Sequence, residues 1–266
     1  MTDFPETADI ETSSDAYAAR FDSDAGRWML EVQLEAVLEL MGREGTETVL
    51  DVGGGHGQLA RPLCDQAREV TVVGSDPVCE SRILDLTGQG LCRFDVGNVL
   101  SLPYADNSFH TVLCFRLLCH CDAWPQLLRE LCRVASHRVI LDYPTGQSLN
   151  ALTGLLFGMK KKLEGNTRTY TLFREREILE KVQEWDFHKE RSIRQFFWPM
   201  VLHRILNRPR VSRILEAVSL RMGLTRLWGS PVVLSLVPWE NPNKYSCFFN
   251  IPQSLATQGF LHPEGD

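Results

Sequence analysis

Short apolar runs alternate along the chain with longer segments in which apolar residues recur at helical spacing. The first such segment predicts helix from about Ala16 to Met41, divided near Gly26. Apolar runs that end in glycine, proline or polar residues predict seven strands, at 48–52, 70–74, 91–96, 109–115, 138–142, 187–196 and 231–237. Helical spacing between and after the first strands predicts helices at 58–67, 79–86, 124–134, 173–185 and 202–222.

The alternation of strands and helices predicts the fold class. Strands at this spacing form a parallel sheet, because each right-handed crossover needs a helix to return the chain. The β-branched run at 70–74 is typical of a strand buried on both faces. We therefore expect an α/β fold of the Rossmann-like, doubly wound type: a mostly parallel seven-stranded sheet with an N-terminal helical segment and a helical cap insertion.

A chain of 266 residues is long enough for one substantial domain that carries such a cap. Residues 1–15 are acidic, rich in Thr and Ser and without apolar periodicity, which predicts a disordered tail. The domain is expected over 16–240, with a C-terminal tail over 241–266. Within the domain, 144–170 and 195–226 are predicted to form the substrate cap.

Composition is that of a globular protein, since 44% of the residues are hydrophobic and 23% are charged. The net charge of −6 is uneven, with an acidic start and an Arg/Lys-rich segment from Lys160 to Arg226. That segment is open to two interpretations, a solvated face with salt bridges or a surface for a partner. Because no apolar stretch reaches the roughly 20 residues of a membrane-spanning helix and no signal peptide is evident, we expect a cytoplasmic protein.

The eight cysteines are irregularly spaced and form no CxxC pair, which indicates reduced thiols. The run Cys119-His120-Cys121 raises the question of a metal site. Ligands that are adjacent in sequence tend to point apart, however, and no second Cys/His pair stands at zinc-finger spacing. We therefore expect no bound metal.

The most informative motif follows the first predicted strand and reads Val49-Leu50-Asp51-Val52-Gly53-Gly54-Gly55-His56-Gly57. Gly53, Gly55 and Gly57 allow positive φ and close approach of a ligand to the backbone, and the next helix offers its N-terminal amides. In open parallel sheets ligands bind at this edge. A dinucleotide fingerprint fails here, because the sixth position counted from Gly53 is Gln58 rather than glycine. This disfavours a nicotinamide-dependent oxidoreductase.

The pattern Asp51-x-Gly53-x-Gly55-x-Gly57 resembles the first motif of class I S-adenosylmethionine-dependent methyltransferases. The nearest subgroup is the ubiquinone and menaquinone biosynthesis-like enzymes that act on small molecules. The resemblance implies that Asp51 positions the cofactor and that the glycines admit its methionine portion. It also implies that Asp76, followed by Pro77 at the end of the second strand, holds the ribose hydroxyls through charge-assisted hydrogen bonds.

The stretch 96–110 resembles the family segment usually written GDA...LPF...SFD, which implies adenine contacts by Asn98 and Val99. Asn98 replaces the usual Asp, although its amide oxygen can still accept from the adenine amino group. His110 replaces a second usual Asp. The segment 128–134 resembles the family's helix before the fifth strand, but the glycine pair that usually follows it is missing.

The resemblance implies further site residues. Arg116 lies where the family contributes backbone contacts to the methionine end. His120 follows the fourth strand and is a candidate catalytic base, or else it shapes the loop by a hydrogen bond. Tyr17 and Arg20 resemble a YxxRF-like segment that closes over the cofactor, and simple helix packing by Tyr17 and Phe21 is the alternative.

From these motifs we expect the protein to transfer a methyl group from S-adenosylmethionine to a small-molecule acceptor. Aromatic or prenylated compounds are possible acceptors. The alternative is a cofactor-binding protein without catalysis that serves in regulation or assembly. The apolar, aromatic run at 196–202, with Lys160-Lys161-Lys162, suggests peripheral membrane contact, and ordinary core packing is the other interpretation. No nucleic acid partner is expected, because the chain is acidic and has no aromatic-interleaved basic stripe. The sequence does not predict the acceptor atom or the oligomeric state.

Overall fold

The computed structural model describes residues 4–42, 47–66, 68–149 and 170–239. Its centre is one seven-stranded sheet in the order β3-β2-β1-β4-β5-β7-β6. The strands are β1 (Thr48–Val52), β2 (Glu69–Gly74), β3 (Cys92–Val96), β4 (Phe109–Cys114), β5 (Ala135–Tyr143), β6 (Phe187–Phe196) and β7 (Ser230–Pro238). β7 runs antiparallel to both of its neighbours, while β1 to β5 pair in parallel. The predicted fold class is confirmed.

Helices cover both faces of this sheet. They are α1 (Ala8–Thr12), α2 (Asp15–Ala18), α3 (Asp24–Met41), α4 (Ala60–Cys64), α5 (Leu84–Gly88), α6 (Trp124–Val134), α7 (Glu175–Gln183), α8 (Met200–Leu206), α9 (Pro209–Arg221) and α10 (Leu224–Trp228). Short 3-10 helices lie at Ala19–Phe21, Gly54–His56, Pro77–Glu80 and Leu118–His120. No helix within the described ranges is long and apolar enough to cross a membrane.

The core has two layers because successive side chains of the central strands point to opposite faces. Leu50 of β1 belongs to the cluster that α6 and α7 cover, whereas Val49 belongs to the cluster that α3 and α4 cover. Both residues are fully buried. This double burial explains why the inner strands are continuous apolar runs in the sequence, and it holds their carboxyl ends at one rigid edge.

The prediction of a disordered tail over residues 1–15 is wrong for residues 8–15. α1 and α2 lie there, and Asp9 is completely buried. The Asp9 carboxylate accepts hydrogen bonds from the backbone N and the Oγ of Ser75, both at 2.6 Å. This contact joins residues far apart in sequence, so local polarity gives no sign of it. The N-terminal segment is therefore attached to the end of β2.

Two predicted helix boundaries also differ from the structure. Gly26 does not divide α3 but lies in its first turn, where a Cβ would stand 2.6 Å from the Cα of Phe21. The glycine thus allows the preceding 3-10 helix to pack closely against α3. The helix predicted at 202–222 is two helices, because Asn207 adopts φ 42° at the end of α8 and Pro209 begins α9.

The predicted cap lies only partly in the described chain. Its second segment, 195–226, comprises the end of β6, α8, α9 and the first turn of α10. Residues 150–169 of the first segment lie outside the described residues, as does the predicted tail 241–266.

The Asp9 contact leads to a stability prediction. Replacing Asp9 with Ala leaves the buried N–H and hydroxyl of Ser75 without this acceptor, so we expect the free energy of unfolding to fall by about 1 to 3 kcal/mol. Urea unfolding followed by circular dichroism measures the change. The control is Asp22→Ala, which removes an exposed carboxylate from the same segment. Equal urea midpoints for Asp9→Ala and wild type would show that the contact contributes nothing.

Candidate active site

Polar side chains from neighbouring strands meet at the carboxyl edge of the sheet. Asp51 of β1 is in register with Val72 of β2 and Leu113 of β4. Asp76 comes shortly after Val72, just beyond the end of β2. Arg116 comes shortly after Leu113, just beyond the end of β4. The sheet therefore brings residues that are widely separated in sequence to one place, as is typical of ligand sites in open α/β folds.

The turn after β1 folds over the Asp51 side chain. Gly53 and Gly57 have φ of 74° and 71°, a conformation that favours glycine. A Cβ on Gly54 would lie 2.1 Å from Cγ of Asp51, so only glycine fits above the carboxylate. Gly55 packs in a similar way against the carbonyl of Cys79. Of the predicted cofactor residues, Asp51, Gly53, Gly55 and Gly57 thus form one compact structure.

Several buried polar atoms at this turn have no hydrogen-bond partner among the described residues. They are both carboxylate oxygens of Asp51 and Nε2 of His56. Burial raises the pKa of Asp51 to about 7, and the nearby Arg116 lowers it less. Buried polar groups are normally hydrogen-bonded, so an unpaired group of them indicates a ligand that carries the missing partners.

His56 is held as a neutral imidazole at the same turn. Burial lowers its pKa to about 3, assisted by the positive charges of Arg116 and Arg82. Nδ1 of His56 accepts a hydrogen bond from the backbone N of Gln58 at 3.2 Å. The proton therefore lies on Nε2, which makes that atom a buried donor facing away from the backbone.

Arg116 links three parts of the molecule. Its backbone N donates to Oδ1 of Asp142 at 2.6 Å, and its φ is 60°. Its guanidinium donates to the side-chain oxygens of Gln33 in α3 and Gln58 after the glycine turn. The guanidinium also lies 4.4 Å from the ring centroid of Phe21. Arg116 thus joins the end of β5, α3 and the glycine turn, while its predicted backbone contact with the methionine end of the cofactor stays a prediction.

Asp76, Asn98 and their neighbours line the edge beyond β2 and β3. Oδ1 of the half-buried Asp76 accepts from the backbone N of Val78 at 3.0 Å. Pro77 begins the short 3-10 helix and is exposed. Oδ1 of Asn98 accepts from the backbone N of Leu100 at 2.9 Å, and Val99 is fully buried beside it. Each acceptor oxygen keeps a lone pair for a second hydrogen bond.

Comparison with known proteins assigns this edge to a family. Residues 50–141, which contain the glycine turn, Asp76 and Asn98, match the family described as Methyltransferase domain. Residues 50–141 of the chain are therefore similar to a methyltransferase domain. The predicted family resemblance is confirmed, and the sheet order with antiparallel β7 is the scaffold on which the matched residues lie.

Individual relatives resemble parts of the chain. A demethylmenaquinone methyltransferase from Deinococcus radiodurans is 36% identical over 118 residues, which are 41% of this chain and 47% of that protein. The chain spans less than half the length of the curated relatives it matches.

Two solved structures share the fold. A SAM-dependent methyltransferase from Thermotoga maritima has a TM-score of 0.59 and 16% identity, covering 86% of this chain and 98% of its own. Magnesium protoporphyrin IX methyltransferase from Synechocystis, with bound SAH, has a TM-score of 0.56 and 17% identity, covering 81% and 85%.

The other end of this site is aromatic. The rings of His120 and Tyr170 lie 5.6 Å apart, and the backbone N of Thr171 donates to the carbonyl of Cys119 at 2.9 Å. Tyr17 lies near the Arg116 side of the site, since its ring centroid is 6.0 Å from that of Phe21, whose ring the Arg116 guanidinium contacts. Burial raises the pKa of the Tyr17 hydroxyl, and the positive charge of Arg116 lowers it.

Arg20 is less close to the site than sequence analysis predicted. It is exposed, its guanidinium lies 4.7 Å from the Tyr17 ring centroid, and it pairs with Glu11 at 3.5 Å. It therefore lies on the outer side of Tyr17. Within the described ranges no group of three or more His, Cys, Asp and Glu side chains could hold a metal ion.

Sequence reasoning missed the residues that hold Arg116. Gln33 lies on the buried face of α3, and Asp142 ends the fifth strand, where burial raises its pKa to about 6 against the effect of the Arg116 N–H. Asp142 carried a signal that was available, namely an acidic residue at the carboxyl end of a predicted strand. Gln33 carried none, because a polar residue within an amphipathic helix normally indicates a solvated position.

Titration of Asp51 leads to a prediction about stability. The folded pKa of about 7 lies above the ordinary value, so the folded state binds more protons than the unfolded state between about pH 4 and pH 7. Stability from this group is therefore greatest below that window and falls as pH rises through it, by about 4 kcal/mol at most. We expect Asp51→Asn to remove this part of the pH dependence in the ligand-free protein.

Urea unfolding at about pH 5 and about pH 8 measures it. Asp142 contributes a loss of the same sign in both proteins, so the difference between wild type and variant isolates Asp51. Asp65→Asn, an exposed carboxylate at the end of α4, is the control. Parallel pH profiles for wild type and Asp51→Asn would contradict the assignment.

Proposed function

We propose that this protein is a methyltransferase that transfers a methyl group from S-adenosylmethionine to a small-molecule acceptor. The observation that carries the proposal is the buried Asp51 carboxylate, which has no partner among the described residues and lies under a turn that only glycine fits. A ligand with a cationic amino group and hydroxyls satisfies such a site. The family match over 50–141 supports the same cofactor class.

The residues present fit this cofactor. The Asp51 carboxylate and the glycine turn suit the positively charged amino end. Asp76 suits the ribose, because its carboxylate can accept from two hydroxyls while it still caps the next turn. Asn98 and the buried Val99 suit the adenine, with the Asn98 amide oxygen as acceptor.

When bound, the cofactor supplies a methyl group that is already activated by its sulfonium charge. The protein then has to align the acceptor with that methyl group and exclude water. The aromatic residues Tyr17, Phe21 and Tyr170 are placed to exclude water at the Arg116 end. His120 would accept the proton that an acidic hydroxyl or carbon acceptor loses.

An apolar acceptor is the class that the structure favours. Phe196 is buried against Trp28 with ring centroids 5.3 Å apart, so this part of the aromatic run is core. The following residues, from 197 to 202, are only half-buried. α8 adjoins the site, because Arg204 lies 5.5 Å from the Phe21 ring that also contacts Arg116. The name of the Deinococcus relative supports a quinone with a prenyl chain as the first acceptor to test.

A non-catalytic, cofactor-binding role is the second candidate. Asn98 and His110 stand where the family usually has acidic residues. The Oδ1 of Asn98 already accepts a hydrogen bond from the backbone N of Leu100. This role and the enzyme differ in one measurement: both bind cofactor, and only the enzyme converts an acceptor.

Cofactor binding tests the shared part of both candidates. We expect S-adenosylhomocysteine to bind wild type in calorimetric titration and to bind Asp76→Ala roughly tenfold to a hundredfold more weakly, because charge-assisted hydrogen bonds are lost. Asp65→Ala, at the opposite edge of the sheet, is the matched control. An affinity that is unchanged in Asp76→Ala would refute the ribose assignment, and no binding to wild type would refute the proposed function.

Turnover tests the role of His120. With demethylmenaquinone as the trial acceptor, we expect His120→Gln to lower kcat by roughly a hundredfold and to remove the acidic limb of the pH profile. His188→Gln is a matched control, since His188 lies on β6 at the edge of the sheet and stacks on Trp239 with ring centroids 4.1 Å apart. If His120→Gln retains the wild-type kcat and pH profile, His120 only shapes its loop.

A further inference from the structure

α9 has the reverse of the usual helix polarity. Its buried residues are Ser212, Glu216 and Ser219, all polar. Its exposed side carries Val211, Ile214, Val218 and, at the helix end, Met222, with exposed fractions between 39% and 68%. These four recur at the spacing of one helix face. A soluble helix normally turns such a stripe inward, so the inversion requires an explanation.

The inward orientation of the polar residues is fixed by hydrogen bonds. The fully buried His203 of α8 contacts Oγ of Ser212 at 3.0 Å and Oε1 of Glu216 at 2.9 Å. Glu216 also accepts from the backbone N of Phe197 and of Trp198, at 2.9 Å and 3.0 Å. The helix therefore cannot rotate its apolar stripe inward without leaving this buried network unpaired. The exposed apolar stripe is a consequence of the native structure.

Neighbouring elements extend the apolar stripe. Ile205 of α8 is 77% exposed, and Leu227 and Trp228 of α10 are 56% and 40% exposed. We call these residues, together with the four of α9, the α9 face. Isolated exposed apolar residues are common, but a set of large ones on three consecutive helices that contact one another is typical of an interaction surface.

The charge of the helices that carry the α9 face indicates the class of partner that binds there. The segment 199–229 contains six arginines and one acidic residue, the buried Glu216, although the whole chain has a net charge of −6. The arginines are Arg204, Arg208, Arg210, Arg213, Arg221 and Arg226. Of these six arginines, only Arg213 has an ion pair with a described residue, Glu31, at 2.9 Å. Positive charge without an ion-pair partner among the described residues therefore predominates on the helices that carry the α9 face.

We propose that the α9 face docks on an anionic lipid bilayer. Apolar side chains flanked by arginines are the combination that binds at the boundary between acyl chains and anionic headgroups. A second copy of the chain is disfavoured as the occupant, since it would bring the same arginines against these. If the proposed function holds, the contact of Arg204 with Phe21 places the acceptor end of the site beside the bilayer, from which a prenylated acceptor would be taken up.

Vesicle flotation of the full-length protein tests this. We expect wild type to float with vesicles of phosphatidylcholine and phosphatidylglycerol in equal parts, and to remain in solution with phosphatidylcholine alone. High salt should release the protein, because surface charges are screened. Failure to float with the anionic vesicles, or equal flotation with both compositions, would overturn the proposal.

Paired variants identify the surface. Ile214→Asp with Val218→Asp removes apolar contact, and Arg210→Glu with Arg221→Glu reverses charge, at exposed positions outside the active site. We expect each pair to lower partitioning by about tenfold or more, given roughly fivefold for each basic residue lost near the surface. Leu84→Asp and Arg129→Glu, exposed residues of α5 and α6, are the matched controls and should float as wild type. Equal flotation of all variants would show that another part of the chain binds lipid.

Calorimetry with S-adenosylhomocysteine on the same samples separates this inference from the proposed function. Variants of the α9 face should bind the cofactor product as wild type does, which also shows that they are folded. Flotation without cofactor binding would retain the α9 face and remove the proposed function. Cofactor binding without flotation would do the opposite.

Discussion

The burial of the Asp51 carboxylate under the glycine turn is the constraint on which the site depends. A Cβ on Gly54 would collide with this carboxylate, so the turn keeps its shape only with glycine there. The carboxylate in turn lies where water cannot reach it, and burial raises its pKa to about 7. Such a group costs free energy in the ligand-free protein and is compensated by a cationic partner. The site is therefore built to be completed by a ligand.

Arg116 transmits this constraint to the rest of the molecule. A non-glycine residue at φ 60° is strained by an amount of order 1 to 3 kcal/mol, and such strain persists only where the surroundings fix it. Here the Asp142 carboxylate accepts from the backbone N, while Gln33 and Gln58 accept from the guanidinium. Because Gln33 belongs to α3, the N-terminal helices are positioned against the sheet through the same residue that borders Asp51. The glycine turn, α3 and the end of β5 are thus coupled through one side chain.

The sequence pattern predicted those features of the fold that depend on residues close together in the chain. The inner strands and the glycine turn were predictable, because burial on both faces requires apolar runs and a ligand-approaching turn requires glycine. The structure of the N-terminal segment was not predictable, because the buried Asp9 carboxylate accepts its hydrogen bonds from Ser75, which lies far along the chain. The role of the Arg116 side chain was hidden for the same reason. Motif matching placed Asp51, Asp76 and Asn98 at one edge, whereas the partners of Arg116 required the tertiary structure.

The polarity of α9 shows most clearly where pattern reasoning stops. Periodicity correctly indicated helix in this region, but it would place Val211, Ile214 and Val218 in the core. The structure reverses this, because Glu216 accepts hydrogen bonds from the backbone N of Phe197 and Trp198 and contacts His203. His203 also contacts Ser212. These hydrogen bonds would be lost if the polar side of α9 faced the solvent. The same network fixes the backbone of the half-buried Phe197 and Trp198. A buried polar cluster therefore determines which face of α9 is exposed.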